Sequence, residues 1–158
     1  MQTELDSNPP AVSAFSAVRA ARVFTFCAVG VIAFQLALVG GAPWGALTQG
    51  GGAPGALSAQ ARAVAAVSAA LLFGMALIVR ARAGLLAAPW ATRLARLVWL
   101  VVAYCGLGVL VNAATPSAAE RQLWLPVVLV MLACSLRVAR SAAPTVSRGT
   151  NAHSNGSD

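Results

Sequence analysis

The residues of this sequence that could do chemistry lie in two short runs, each enclosed by long apolar stretches. The first run, residues 40–62, contains seven of the fourteen glycines together with a tryptophan, glutamines and an arginine. The second run, residues 112–126 (NAATPSAAERQLWLP), carries hydroxyl, amide and charged side chains. We take eight residues from the two runs as the candidate site: Trp44, Gln49, Arg62, Asn112, Thr115, Ser117, Glu120 and Arg121.

Glu120 is the carboxylate on which such a site would depend. It is the only acidic residue near the apolar stretches, and the sequence predicts that Arg62 or Arg121 pairs with it. A charge beside a lipid bilayer is costly when it is unpaired. The pair is either a structural staple or a functional site, and the sequence leaves both interpretations open.

The second run also carries the signals of a helix start. Ser117 and Glu120 match the S-x-x-E capping box, in which each side chain satisfies a backbone donor of the first turn. Thr115 before Pro116 offers an alternative cap, with proline at the first helical position.

The residue types needed for catalysis, for metals and for cofactors are missing from the apolar body. Cys27, Cys105 and Cys134 are scattered without a ligand spacing, and the lone histidine, His153, lies in the polar tail. The glycine-rich run has no phosphate-binding signature, and the chain has no lysine. We therefore predict no enzymatic activity, no metal site and no cofactor.

The composition indicates a lipid environment. Of the 158 residues, 59% are hydrophobic and 9% are charged, against roughly 25% charged residues in average proteins. The net charge of +7 does not predict nucleic-acid binding, because the arginines border apolar stretches instead of forming one exposed basic face. The expected partner is the bilayer itself.

The apolar stretches are rich in alanine and leucine and lack the alternation of barrel strands, so they predict an all-α fold. The fourth stretch is long enough to cross a bilayer only if its helix begins near residue 117. The sequence predicts a disordered or interfacial arm over 1–18, a transmembrane domain over 19–140 and a disordered tail over 141–158. The four helices are expected at about 21–40, 62–79, 95–114 and 117–138.

The arginines predict how this antiparallel four-helix bundle is oriented. Nine of the eleven basic residues fall before the first helix, between the second and third, or after the fourth. Only Arg62 and Arg121 fall on the other side. By the positive-inside rule both termini are cytoplasmic and the two polar runs face outward. The all-arginine basic set is typical of a high-G+C bacterial genome, so we expect the inner membrane of a bacterium.

Two ridges of small residues predict where helices approach each other closely, although an alanine-rich chain also produces such spacings by chance. One ridge lies in the first helix and one in the second: Ala33, Ala37 and Gly41, and Ala66, Ala70 and Gly74.

The two polar runs together resemble a known group. PWG at 43–45, QGG at 49–51 and Arg62 are followed by N-x-x-T-P-S-x-x-E-R-x-x-W-x-P from residue 112. At this spacing they are similar to a group of small four-helix bacterial membrane proteins of unassigned function, over roughly residues 23–138. Members often have Leu-Pro where this chain has Leu57-Ser58. The resemblance implies an integral inner-membrane protein with outward-facing distinctive residues, and it implies no activity.

Two functional interpretations of the sequence remain open. The first is a non-enzymatic accessory or interaction protein that contacts a membrane-protein partner through its outer loops, with residues 42–55 as the outer cap of the bundle. The alternative is a small transporter or channel formed by a homo-oligomer. A transport path usually needs polar groups near the midplane, and Gln35 is more simply explained by one interhelical hydrogen bond.

Overall fold

The protein is built from α-helices. A computed structural model describes residues 9–52 and 54–141, and the side chains from residue 15 onward; within these ranges the only β-type pairing is an isolated bridge between Trp44 and Gly55. Two 3₁₀ turns, Gly45–Leu47 and Gln49–Gly51, follow the first helix. The helices are α1 (Pro9–Val39), α2 (Ala59–Arg82), α3 (Ala91–Ala95), α4 (Val98–Ala114) and α5 (Ala118–Arg140).

Three of these helices are long and apolar enough to cross a membrane: Phe15–Val39, Ala59–Arg82 and Ala118–Arg140. Each has 23–25 residues, which corresponds to about 34–38 Å at 1.5 Å per residue. The hydrocarbon core of a bilayer is about 30 Å thick. Helix α4 is equally apolar but has 17 residues. The all-helical class is therefore confirmed, with three long apolar helices and a shorter one.

The observed boundaries differ from the expected ones at the start of the chain and between α2 and α4. Helix α1 begins at Pro9, so residues 9–18 of the expected arm are helical; proline needs no backbone N–H in a first turn. Residues 1–8 and most of the expected tail, 142–158, lie outside the described residues. The short helix α3 was not expected, and α4 begins at Val98 instead of near residue 95.

The helices do not pack uniformly around the bundle. Helix α1 lies against both α2 and α5, α5 lies against α4, and α2 touches α4 over few residues. The main core is centred on Phe24, Val79, Val101, Met131 and Val138. A gap is therefore left between α2 and α4 on one side of the bundle.

The expected ridges of small residues do not form the contact between α1 and α2. Ala33, Ala66 and Ala70 are exposed, and a Cβ added at Gly74 would meet nothing within 4 Å. In α2 the alanine face that is buried is one residue earlier, at Ala65 and Ala69. The ridge prediction is wrong because the large side chains of the core decide which face turns inward, and alanine is common on every face.

Candidate functional site

The chain between α1 and α2 folds into a closed loop. Helix α1 ends at Val39, and Gly41, which has φ +95°, allows Ala42 N to donate to Ala37 O at 3.0 Å. Gly45 N then donates to Gly55 O at 2.9 Å, which ties together the two ends of the loop. We call residues 40–58, together with residues 115–124 of the α4–α5 turn and the start of α5, the cap.

Glu120 joins the two halves of the cap. Its Oε2 accepts a hydrogen bond from Gly50 N at 2.9 Å and a second from Thr115 Oγ1 at 2.8 Å. Ser117 is the N-cap of α5, since its Oγ accepts from Glu120 N at 3.2 Å. That hydroxyl also donates to Ala46 O at 3.3 Å. Only the serine half of the predicted capping box is present, because the Glu120 carboxylate binds the loop instead of its own helix.

The predicted ion pair between Glu120 and an arginine is wrong. Arg62 donates from Nε to Val39 O at 2.7 Å, and its Nη2 donates to the same carbonyl. Arg121 donates from Nη1 to Thr115 O at 2.8 Å. Val39 and Thr115 stand at the C-terminal ends of α1 and α4. Carbonyls there lack helical partners and carry partial negative charge, so they compete with the carboxylate for the guanidinium groups.

An aromatic cluster supports the cap from beneath. Phe34 of α1 stacks on Trp44 at a centroid distance of 5.8 Å and meets the edge of Trp124 at 4.7 Å. Trp124 Nε1 donates to Leu47 O at 2.7 Å, which adds another link between α5 and the loop. The sequence marked Trp44 as a candidate site residue but did not predict this cluster. Its only signal was the proximity of Phe34 and Trp124 to helix ends.

The remaining candidates are held less firmly. Gln49 has φ +51°, a left-handed conformation that is uncommon outside glycine, and its Nε2 donates to Ala61 O at 3.0 Å. Asn112 donates from Nδ2 to Gly108 O at 2.8 Å, one turn back in its own helix. Asn112 thus takes part in no described hydrogen bond to the loop.

Beneath the cap lies a cleft of about 300 Å³. It is lined by residues of α1, α2, α4 and α5 and by Thr48. Its polar lining residues include Gln35, Asn112 and Glu120, and Trp124 also lines it. Gln35 Oε1 is buried there, and no described residue donates to it. The expected interhelical hydrogen bond to this oxygen is therefore missing from the described part of the chain. A buried acceptor left unpaired costs about 1–3 kcal/mol.

Comparison of the chain with protein-family models, with curated proteins and with solved structures finds no match. The resemblance to small four-helix bacterial membrane proteins stays a prediction.

Proposed function

We propose that the protein is a four-span integral protein of a bacterial inner membrane, with both termini in the cytoplasm and the cap outside. Three long apolar helices support this arrangement. Helix α4 supplies the fourth span, because Leu100, Leu107 and Leu110 leave it with an exposed apolar surface. The short helix α3 precedes it at the arginine-rich end of the bundle, where Arg82, Arg93 and Arg96 border the connection.

This orientation is tested with single cysteines at each end of the bundle. The three native cysteines are first replaced by alanine, and Gly52→Cys and Ala87→Cys are then made separately; both positions are exposed. A membrane-impermeant thiol reagent is expected to label Cys at 52 in intact cells and Cys at 87 only after permeabilisation. The reverse pattern would overturn the proposed orientation.

The proposed role is non-enzymatic: the protein is an accessory or interaction protein that binds a membrane-protein partner through the outer face of the cap. The observation that carries this proposal is Trp44, whose indole stacks on Phe34 and yet remains 44% exposed. The loop that presents it is fixed by a hydrogen bond from Gly50 N to Glu120 and by one from Trp124 Nε1 to Leu47 O. Exposed aromatic side chains held on a rigid support are enriched in protein–protein interfaces.

The partner is sought by mild crosslinking in cells followed by purification. Trp44→Ala removes the exposed indole, and Ala46→Glu adds a charge to the same surface. The matched control is Ala87→Glu, at an exposed position near the other end of the bundle. A stoichiometric partner is expected to be lost in the two cap variants and kept in the control.

The opposite crosslinking result would favour the alternative function. Crosslinks only between copies of the chain, unchanged in Trp44→Ala and Ala46→Glu, would contradict the interaction role and favour the homo-oligomeric transporter. In that case flux through reconstituted oligomers is the next measurement.

A further inference from the structure

The cleft beneath the cap has the shape of a ligand site. Its volume of about 300 Å³ lies at the lower end of the range for small-molecule pockets. Most of its walls are apolar, with Val31, Leu72 and Met131 toward the middle of the bundle. Leu72 and Met131 also belong to the buried core, so the cleft ends at the core and is not continued through the bundle.

Two acceptors at the cap end of the cleft have no donor among the described residues for at least one oxygen. Gln35 Oε1 is buried with no described partner. Both described hydrogen bonds to the Glu120 carboxylate fall on Oε2, so its second oxygen receives none from the described residues. Asn112 uses one N–H of its Nδ2 within α4, which leaves its carbonyl oxygen and its second N–H. A ligand that donates hydrogen bonds would satisfy Gln35 Oε1 and the second oxygen of Glu120, and the Glu120 charge favours a cation.

The cleft opens sideways between α2 and α4. Tyr104, Leu107 and Val111 line it and are also 44–60% exposed on the surface of α4. On the cap side it is covered by Thr48, which is buried. If the four helices span the bilayer as proposed above, the open side faces hydrocarbon, so the occupant enters from the lipid.

We propose that this cleft binds one membrane lipid with an ammonium head, whose chain lies against the apolar walls and whose N–H groups donate to Gln35 and Glu120. The inference rests on the proposed membrane-spanning arrangement. It deepens the proposed function, because lipid bound under the cap would couple the interaction surface to the surrounding bilayer.

The test is native mass spectrometry of the purified full chain with equal amounts of phosphatidylethanolamine and phosphatidylcholine that have the same acyl chains. The two lipids have the same net charge, but only the ethanolamine head can donate N–H hydrogen bonds. One lipid per chain is expected, with ethanolamine preferred by about fivefold, the effect of one net hydrogen bond. Equal retention of the two lipids would overturn the assignment of the head group.

Two matched pairs of variants locate the bound lipid. Gly108 lines the cleft, and a Cβ there would meet only Val128 Cγ1 at 4.0 Å. Gly108→Leu is therefore expected to fill the cleft and abolish retention, while Gly106→Leu, in the same helix and facing open space, leaves retention unchanged. Gln35→Leu removes one of the two acceptors and is expected to lower the preference for ethanolamine, and Gln122→Leu, at an exposed position, to keep it.

If Gly108→Leu retained lipid at the wild-type level, the proposal that the lipid binds in this cleft would be wrong. This failure is distinguishable from failure of the proposed function. Thiol labelling reports the orientation and crosslinking reports the partner, whereas lipid retention by the purified chain depends on neither.

Discussion

The two ends of the bundle are held together in different ways. At the cap, side chains of α5 bind backbone groups of the α1–α2 loop about 70 residues away in sequence: Glu120 to Gly50, Ser117 to Ala46 and Trp124 to Leu47. At the opposite end the described side-chain links between segments come from arginines, and Arg93, Arg96 and Arg140 are exposed. The links at the cap therefore run from side chains at the start of α5 to the backbone of a loop, while those at the other end come from arginines on the helices.

This difference has a consequence for substitutions. Changes in the cap remove a hydrogen bond that has a buried or half-buried partner, and that partner is left unpaired. At the arginine-rich end Arg93, Arg96 and Arg140 are exposed, so replacing them changes groups that water already reaches. We therefore expect stability to fall most for cap variants and least for arginine variants.

The largest effect is expected for Gly51→Ala. Gly51 has φ +72°, and a Cβ there would lie 2.7 Å from Ser117 Cβ and Oγ and 3.0 Å from Ala46 O. Left-handed strain and overpacking together should cost about 2–4 kcal/mol. In detergent, the melting temperature should fall by about 5–15 °C.

Gly52→Ala is the control for this variant, because Gly52 has φ −76° and open space around it. It should change the melting temperature little. An equal loss in both variants would show that the loop does not pack against Ser117.

The second-largest loss of stability is expected for Glu120→Ala. Gly50 N–H and the Thr115 hydroxyl lose their acceptor, which should lower the free energy of unfolding by about 2 kcal/mol. Glu120→Gln keeps an acceptor oxygen and should lose roughly half as much. Unfolding by SDS titration measures the loss, and Gln122→Ala, two residues away and exposed, is the control. An unchanged stability in Glu120→Ala would show that the hydrogen bonds to this carboxylate do not stabilise the cap.

Trp124→Phe separates the hydrogen bond of this residue from its packing. Phenylalanine keeps an aromatic ring beside Phe34 but cannot donate to Leu47 O. The expected loss is about 1 kcal/mol in the same titration. Trp99→Phe, at a position that is 54% exposed, should have no measurable effect. A larger loss of stability in Trp99→Phe than in Trp124→Phe would show that contacts outside the cap stabilise the bundle more.

The sequence was sufficient to predict the all-helical class and the long apolar helices, because these follow from apolar length and composition. It also marked Glu120 and Ser117, since S-x-x-E before an apolar run is a local pattern. The hydrogen-bond donor to Glu120 could not be predicted from a local sequence pattern. Gly50 binds it with a backbone N–H, a group that nearly every residue has, and its position depends on how the loop folds.

Two of the failed predictions have a common physical reason. Pairing of Glu120 with Arg62 was inferred from opposite charge at the same level, but the carbonyl of Val39 at the end of α1 takes the guanidinium. The ridge at Ala66 and Ala70 was inferred from small size, but larger neighbours determined the face. In both cases a competing group that has no distinctive sequence pattern gave the more favourable contact.

The smallest effect is expected for Arg82→Gln at the opposite end of the bundle. Arg82 Nη2 donates to Ala139 O and Ser141 O, the last carbonyls of the α5 end. Its Nε is buried without a described partner, so removing the guanidinium also removes an unpaired donor. Because the two contributions oppose each other, the expected loss is about 0.5 kcal/mol. Arg93→Gln, which is exposed, is the control in the same SDS titration. A loss as large as that of Glu120→Ala would contradict the difference between the two ends, because it would show that the arginine hydrogen bonds stabilise the fold as much as those of the cap.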